Sequence, residues 1–130
     1  MNQSVGIVLV SHSAELAAGV AELVGQIGAA NVPVAVAGGD DRGGIGTSYR
    51  LIREALEKAD SGAGLVVVPD LGSAVLMTRT VLEDHPRHDA VIADVPFVEG
   101  AVAATVAAAG GADLATVLMS AEEARSVRKF

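Results

Sequence analysis

The chain opens on Val5-Gly6-Ile7-Val8-Leu9-Val10, an apolar run that discharges directly into Ser11-His12-Ser13. A continuous run rich in β-branched residues suits a strand buried on both faces, as in a parallel sheet covered by helices. Open parallel sheets bind their ligands beyond the carboxyl ends of the strands. His12 therefore stands where such a fold does its chemistry.

The remaining sequence continues the alternation. Leu16, Val20, Leu23, Val24 and Ile27 recur at helical spacing, and Val32–Ala37 reads as a second strand with Pro33 tolerated near its start. A glycine-rich loop, Gly38–Gly46, leads to a helix capped by Thr47 or Ser48 that buries Tyr49, Ile52, Leu56 and Ala59. Gly64–Pro69 is a third strand, followed by Asp70-Leu71-Gly72-Ser73, where Ser73 caps a helix through Leu82. Ala90–Ala93 is a short fourth strand, and Phe97–Ala109 a helix. Leu114–Met119 is expected as a fifth strand before a charged terminal helix. The pattern predicts an α/β fold with a doubly wound, mainly parallel sheet of four to five strands and helices on both faces. Residues 1–130 are expected to form one domain.

Composition narrows the function classes. The 130 residues are 51% hydrophobic but only 2% aromatic, so small aliphatic side chains must fill the interior. A net charge of −7 argues against nucleic acid, which demands a basic face. The absence of cysteine excludes disulfides and thiolate metal sites. No apolar run is long enough to span a bilayer, the Ala101–Ala109 stretch included, so no membrane insertion and a cytoplasmic location are expected.

Three polar loops meet at one sheet edge: Ser11-His12-Ser13, Gly44-Ile45-Gly46-Thr47-Ser48 and Pro69-Asp70-Leu71-Gly72-Ser73. If the first and third strands are adjacent, Asp70 faces His12 across the crevice where the winding direction reverses. The carboxylate would then fix the imidazole tautomer and stabilise its cation. Ser13, Thr47, Ser48, Gly72 and Ser73 are the candidate phosphate-binding residues, through hydroxyls and free N–H groups at helix starts. A nucleophilic nitrogen, an orienting carboxylate and an anion cradle suit a phosphoryl group carried on histidine.

Each element taken singly has a plainer explanation. An isolated histidine after a strand is usually a turn residue, and Asp70 could close an Asx turn. The Gly38–Gly46 loop lacks the G-x-x-x-x-G-K-[ST] spacing of a nucleotide loop. His85 and His88, split by Pro86, read as turn residues with no third metal ligand. A receiver-type phosphoacceptor at Asp70 would need acids after the first strand, and Ser11-His12-Ser13 supplies none. The convergence of three polar loops on one edge favours the histidine.

Four segments, Val8-Leu9-Val10-Ser11-His12-Ser13, Gly46-Thr47-Ser48, Asp70-Leu71-Gly72-Ser73-Ala74 and Pro96-Phe97-Val98-Glu99-Gly100-Ala101, carry a family resemblance. In order and spacing they resemble the mannose-type IIA domains of the bacterial phosphotransferase system. The Asp-Leu-Gly-Ser-Ala and Val-Glu-Gly-Ala-Val segments resemble its dihydroxyacetone kinase branch. The resemblance implies that His12 accepts phosphate from the phosphocarrier HPr and passes it to ADP on a nucleotide-binding kinase subunit. A dihydroxyacetone-binding subunit completes the set of partners. A homodimer is expected, partly from the resemblance and partly from the apolar surface left over in a small, Ala- and Val-rich domain, with its seam on the exposed side of Val95–Val106 or on the last strand. No cofactor is expected on this chain, Mg-ADP belonging to the partner. Some relatives carry fused HPr-like and enzyme-I-like domains; none lies within these 130 residues, so separate donors are expected. The alternatives are a IIA component of a sugar transporter, a chelatase-like enzyme with His12 as a metal ligand, and a non-catalytic domain whose His12 senses pH.

Overall fold

A computed structural model describes residues 3–28 and 31–130. Four strands form one sheet: β1 (Gly6–Ser11), β2 (Val34–Gly38), β3 (Leu65–Pro69) and β4 (Ala90–Ile92). The helices are α1 (Ala14–Gly28), α2 (Tyr49–Ala59), α3 (Gly72–Asp84), α4 (Phe97–Ala109) and α5 (Leu114–Glu123), the last running into a 3₁₀ turn at Ala124–Ser126. The strand order is β2-β1-β3-β4, and every pairing is parallel. This is the doubly wound α/β arrangement expected from the alternation.

The apolar runs explain the layering. Ile7 and Leu9 of β1 with Val66 and Val68 of β3 point to the face covered by α1, α4 and α5. Val8 and Val10 with Leu65 and Val67 point to the opposite face, under α2 and α3. Both central strands are thus wholly buried, which is why they show no polar alternation. Close approach matters at Gly100, where an added Cβ would lie 2.2 Å from Val95 Cγ2.

The fifth strand is absent; Leu114–Met119 lies in α5. Asp113 caps that helix, accepting the Thr116 N–H at 3.0 Å. The apolar repeat extends beyond Met119 to Ala121 and Ala124, and Val117, Ala121 and Ala124 are buried at helical spacing. A window that stops at Met119 hides that period. Smaller differences follow from edge effects. β2 starts at Val34, after Pro33, and β4 ends at Ile92. α3 begins at Gly72 with Leu71 as its cap residue, so Ser73 sits inside the first turn, and the helix extends to Asp84. Tyr49 is half-buried because its hydroxyl donates to Asp84 at 2.7 Å. Leu16, Leu23 and Ile27 border the buried face of α1 and remain partly exposed.

Candidate functional site

The register of the central strands builds the site. Val10 lies opposite Pro69, so Ser11-His12 and Asp70 leave the sheet side by side. The Asp70 N–H donates to the Val10 carbonyl at 3.0 Å as the last rung of the ladder. This is the switch point: from β1 the chain winds outward to β2, and β3 lies on the other side.

Asp70 receives four hydrogen bonds. Its Oδ1 accepts from His12 Nδ1 at 2.8 Å and from the Leu71 N–H at 2.7 Å. Its Oδ2 accepts from the Ser11 hydroxyl at 2.9 Å and the His12 N–H at 3.0 Å. The carboxylate side chain is only 8% exposed. Burial by itself would raise its pKa, but the four donors outweigh that and hold the carboxyl below the ordinary aspartate range. An ionised carboxylate can only accept, so Nδ1 carries a proton, and the lone pair of the corresponding neutral tautomer lies at Nε2.

Nε2 is in hydrogen-bond contact with the Ser73 hydroxyl. Ser73 and Gly72 lie in the first turn of α3, where backbone N–H groups have no intrahelical acceptor. The nucleophilic edge of the ring thus faces a helix N-terminus, a favourable place for an anion. On the other side, the Gly46 N–H donates to the His12 carbonyl at 2.9 Å, which brings the loop carrying Thr47 against the histidine turn. Gly46 has φ +153°, a conformation that side chains rarely adopt.

The other predicted residues are placed differently. Ser13 Oγ accepts the Leu16 N–H at 3.1 Å and so caps α1, while the Ser13 N–H donates to Ser11 Oγ at 3.1 Å. Ser48 is buried, caps α2 by accepting the Leu51 N–H at 3.1 Å, and donates its hydroxyl hydrogen to Asp41. With both hydrogen-bonding roles filled, its hydroxyl has nothing left to offer a phosphate. Ser11 is the residue that the pattern did not single out. Its signal was a hydroxyl closing an otherwise apolar buried strand, since a buried hydroxyl requires a partner.

A cavity of ≈ 420 Å³ adjoins Asp70, lined also by Leu71, Gly72, Arg79, Asp94 and Val95. His85 closes α3, its ring edge-on to Tyr49 with centroids 6.2 Å apart. Among the described residues no three His, Cys, Asp or Glu side chains gather as a metal site, and no helix is long and apolar enough to cross a membrane.

Fold and site together define a doubly wound α/β protein with a carboxylate-oriented histidine at its sheet switch point. The chain belongs to the family of the phosphotransferase system (PTS) fructose IIA component, which matches residues 6–118. It is 37% identical over 131 residues to the phosphoryl donor subunit DhaM of the PEP-dependent dihydroxyacetone kinase of Escherichia coli K12, covering 96% of this chain. The chain spans 28% of that relative's length. To the phosphotransferase subunit DhaM of the PTS-dependent dihydroxyacetone kinase of Lactococcus lactis it is 36% identical over 107 residues, 82% of this chain and 85% of the relative. Among solved structures, the protein of unknown function EF1359 superposes with a TM-score of 0.84 at 29% identity, covering 98% of this chain and 99% of that one.

Proposed function

We propose that the protein is a phosphoryl carrier. His12 accepts phosphate from phospho-HPr and passes it to ADP on the nucleotide-binding subunit of a dihydroxyacetone kinase, with a dihydroxyacetone-binding subunit as the final partner. The observation that carries this reading is the Asp70–His12 pair, which turns the Nε2 lone pair, in contact with the Ser73 hydroxyl, toward the α3 N-terminus as the nucleophile. The relatives' names, phosphoryl donor subunit and phosphotransferase subunit of a dihydroxyacetone kinase, support this direction of transfer, while HPr as donor and ADP as acceptor follow the family resemblance.

The chemistry follows from the geometry. The Nε2 lone pair attacks the phosphorus of the donor phosphohistidine, and the new Nε2–P bond forms as the donor N–P bond breaks. The departing imidazole keeps the bonding pair. His12 retains its Nδ1 proton, so the phosphorylated ring is cationic and Asp70, one hydrogen bond away, neutralises it. The Ser73 hydroxyl, the N–H groups of Gly72 and Ser73 and the Thr47 hydroxyl serve the phosphoryl oxygens. In the second half-reaction a terminal oxygen of ADP attacks the same phosphorus and Nε2 recovers its lone pair. Transfer between two imidazoles is close to thermoneutral, so this chain needs no metal of its own, and Mg²⁺ accompanies ADP on the partner. A cytoplasmic location belongs to the same reading.

A homodimer belongs to the same reading. A seam on the last strand falls with that strand, whereas Val98 and Val106 of α4 remain exposed. Light scattering at micromolar concentration tests this, and a 13.0 kDa species alone would count against it.

The deciding experiment supplies phosphoenolpyruvate, enzyme I and HPr. An acid-labile, alkali-stable label should form on His12 and be absent from His12→Ala. Dihydroxyacetone alone should not discharge it. The ADP-loaded kinase subunit should, and the third subunit should then yield dihydroxyacetone phosphate. Discharge onto a sugar-transporter IIB domain instead would replace the kinase assignment with the transporter one.

A further inference from the structure

Two of the most exposed aliphatic side chains of the chain stand on the loops that flank His12. Ile45 is 78% exposed and Leu71 63% exposed. Each is tied to the site by its immediate backbone. Ile45 precedes Gly46, whose N–H holds the His12 carbonyl. Leu71 follows Asp70 and donates its own N–H to that carboxylate. The two side chains therefore bracket the histidine, one on the β2 side and one on the β3 side.

The loop that presents Ile45 is built for rigidity. Asp40 Oδ1 accepts the N–H groups of Arg42 at 2.9 Å and Gly44 at 2.8 Å. The Asp40 backbone closes the same turn, donating to the Gly44 carbonyl at 3.0 Å and accepting from the Gly43 N–H at 3.2 Å. A tip held this firmly does not fold its isoleucine away. Leu71 likewise sits in extended backbone at the cap position of α3 and is fixed by the turn. Neither side chain belongs to the buried core, so folding gives no reason for an aliphatic residue at either place.

We infer that Ile45 and Leu71 form the apolar collar on which the phosphoryl donor docks, a protein that presents a phosphohistidine from its own surface. The inference rests on the carrier reading above and names the contact surface of that same site. An imidazole is a short side chain. To bring a donor ring, the phosphorus and Nε2 into line, the two protein surfaces must meet around His12, which is itself only 18% exposed. The rim of His12 is then covered in every productive encounter, and aliphatic side chains on a rim gain by being covered. The net charge of −7 selects for a donor whose docking face is basic, and long-range attraction then speeds the encounter while the collar fixes its register.

The test measures His12 labelling by two donors, phosphorylated HPr and the small molecule phosphoramidate, in wild type, Ile45→Ala, Leu71→Ala and the double variant. With phospho-HPr each single change should lower kcat/KM by at least about fivefold and the double change by more than about tenfold, through KM. With phosphoramidate all four proteins should label within about twofold of one another, since that donor touches no collar and alanine at position 71 keeps the backbone N–H that holds Asp70. Unchanged rates with phospho-HPr in the double variant would overturn the inference and leave the carrier reading intact. Equal losses with both donors would also overturn it, by showing that the side chains support His12 and not a partner. Failure of the wild type to label with either donor would remove the carrier reading itself.

Discussion

The Ser11 hydroxyl lies 2.9 Å from the Asp70 carboxylate although 59 positions separate the two residues in the chain. Ser11 is fully buried, and its one oxygen both donates to Asp70 and accepts the Ser13 N–H. It therefore locks the carboxylate to the turn that carries His12. Replacing Ser11 with Ala removes one of the four donors that hold Asp70 ionised and leaves the Ser13 N–H short of an acceptor. Stability should fall by about 1 kcal/mol. The acid limb of the pH–rate profile for phosphoryl transfer should move to higher pH, and Ser11→Thr should restore it. An acid limb that stays in place would reduce Ser11 to a packing role.

Asp70→Asn keeps the size of the side chain but replaces an acceptor-only group with one that can donate. The imidazole then loses both its fixed tautomer and the countercharge for its phosphorylated form. Transfer should slow by at least about tenfold, equivalent to ~1.4 kcal/mol in the barrier, with the fold retained. Rapid-quench measurement of labelling provides the check, and a wild-type rate would mean that the hydrogen bond to Nδ1 does not govern reactivity.

The depressed pKa of Asp70 has a sign that can be followed in unfolding experiments. In the unfolded chain the group returns to an ordinary value near ~3.9, so as pH falls the unfolded state takes up its proton first. The stabilisation is complete above that value and disappears as pH falls through the lower folded one. Thermal unfolding from pH 7 down to about pH 2.5 should show the wild type losing Tm more steeply below about pH 4 than Asp70→Asn. Parallel curves would show that the carboxylate gains nothing from its donors.

Ser48 and Ser73 separate capping from chemistry. Ser48→Ala should cost about 1 kcal/mol of stability through the lost α2 cap while leaving the transfer rate near wild type. Ser73→Ala removes the hydroxyl that meets Nε2 and should slow transfer by about tenfold or more with little change in Tm. Denaturant unfolding paired with labelling kinetics resolves the two, and the opposite assignment of effects would exchange their roles.

His85 and His88 should be dispensable. Their double Ala variant should accept phosphate at the wild-type rate, because His85 ends a helix against Tyr49 and both lie outside the β1–β3 crevice. Zinc recovered stoichiometrically from wild type and lost from the variant would point instead to a metal-dependent role.

Much of this architecture was legible because the central strands have no solvent-facing side. Gly6–Ser11 and Leu65–Pro69 are buried throughout, so their apolar runs announced a parallel sheet and fixed where its carboxyl edge would fall. The juxtaposition of His12 and Asp70 followed from the adjacency of those strands. What sequence reading lost were choices made by tertiary packing. Leu114–Met119 has strand-like composition, yet Val117, Ala121 and Ala124 bury one helical face with Asp113 as the cap, a period that shows only beyond Met119. Ser48 offers the same hydroxyl to a phosphate or to a helix start, and only the path of the loop from Asp41 decides between them. Ser11 was hidden for a different reason. Its partner is distant in the chain: a hydroxyl closing a buried apolar strand signals that a partner is needed, but not that the partner is Asp70.

The Asp70 amide that donates to the Val10 carbonyl belongs to the central pair of a four-stranded sheet, flanked by a further strand on each side. This rung closes the ladder at its carboxyl end, so hydrogen exchange there reports the opening of the β1–β3 junction that carries the site. The carboxylate that orients His12 thus shares its backbone with the central strand pair, and the proposed carrier cycle would load and unload a histidine beside that junction. Its exchange protection should be the same in the free and phosphorylated forms, making the Asp70 amide a built-in gauge of the stability of that junction.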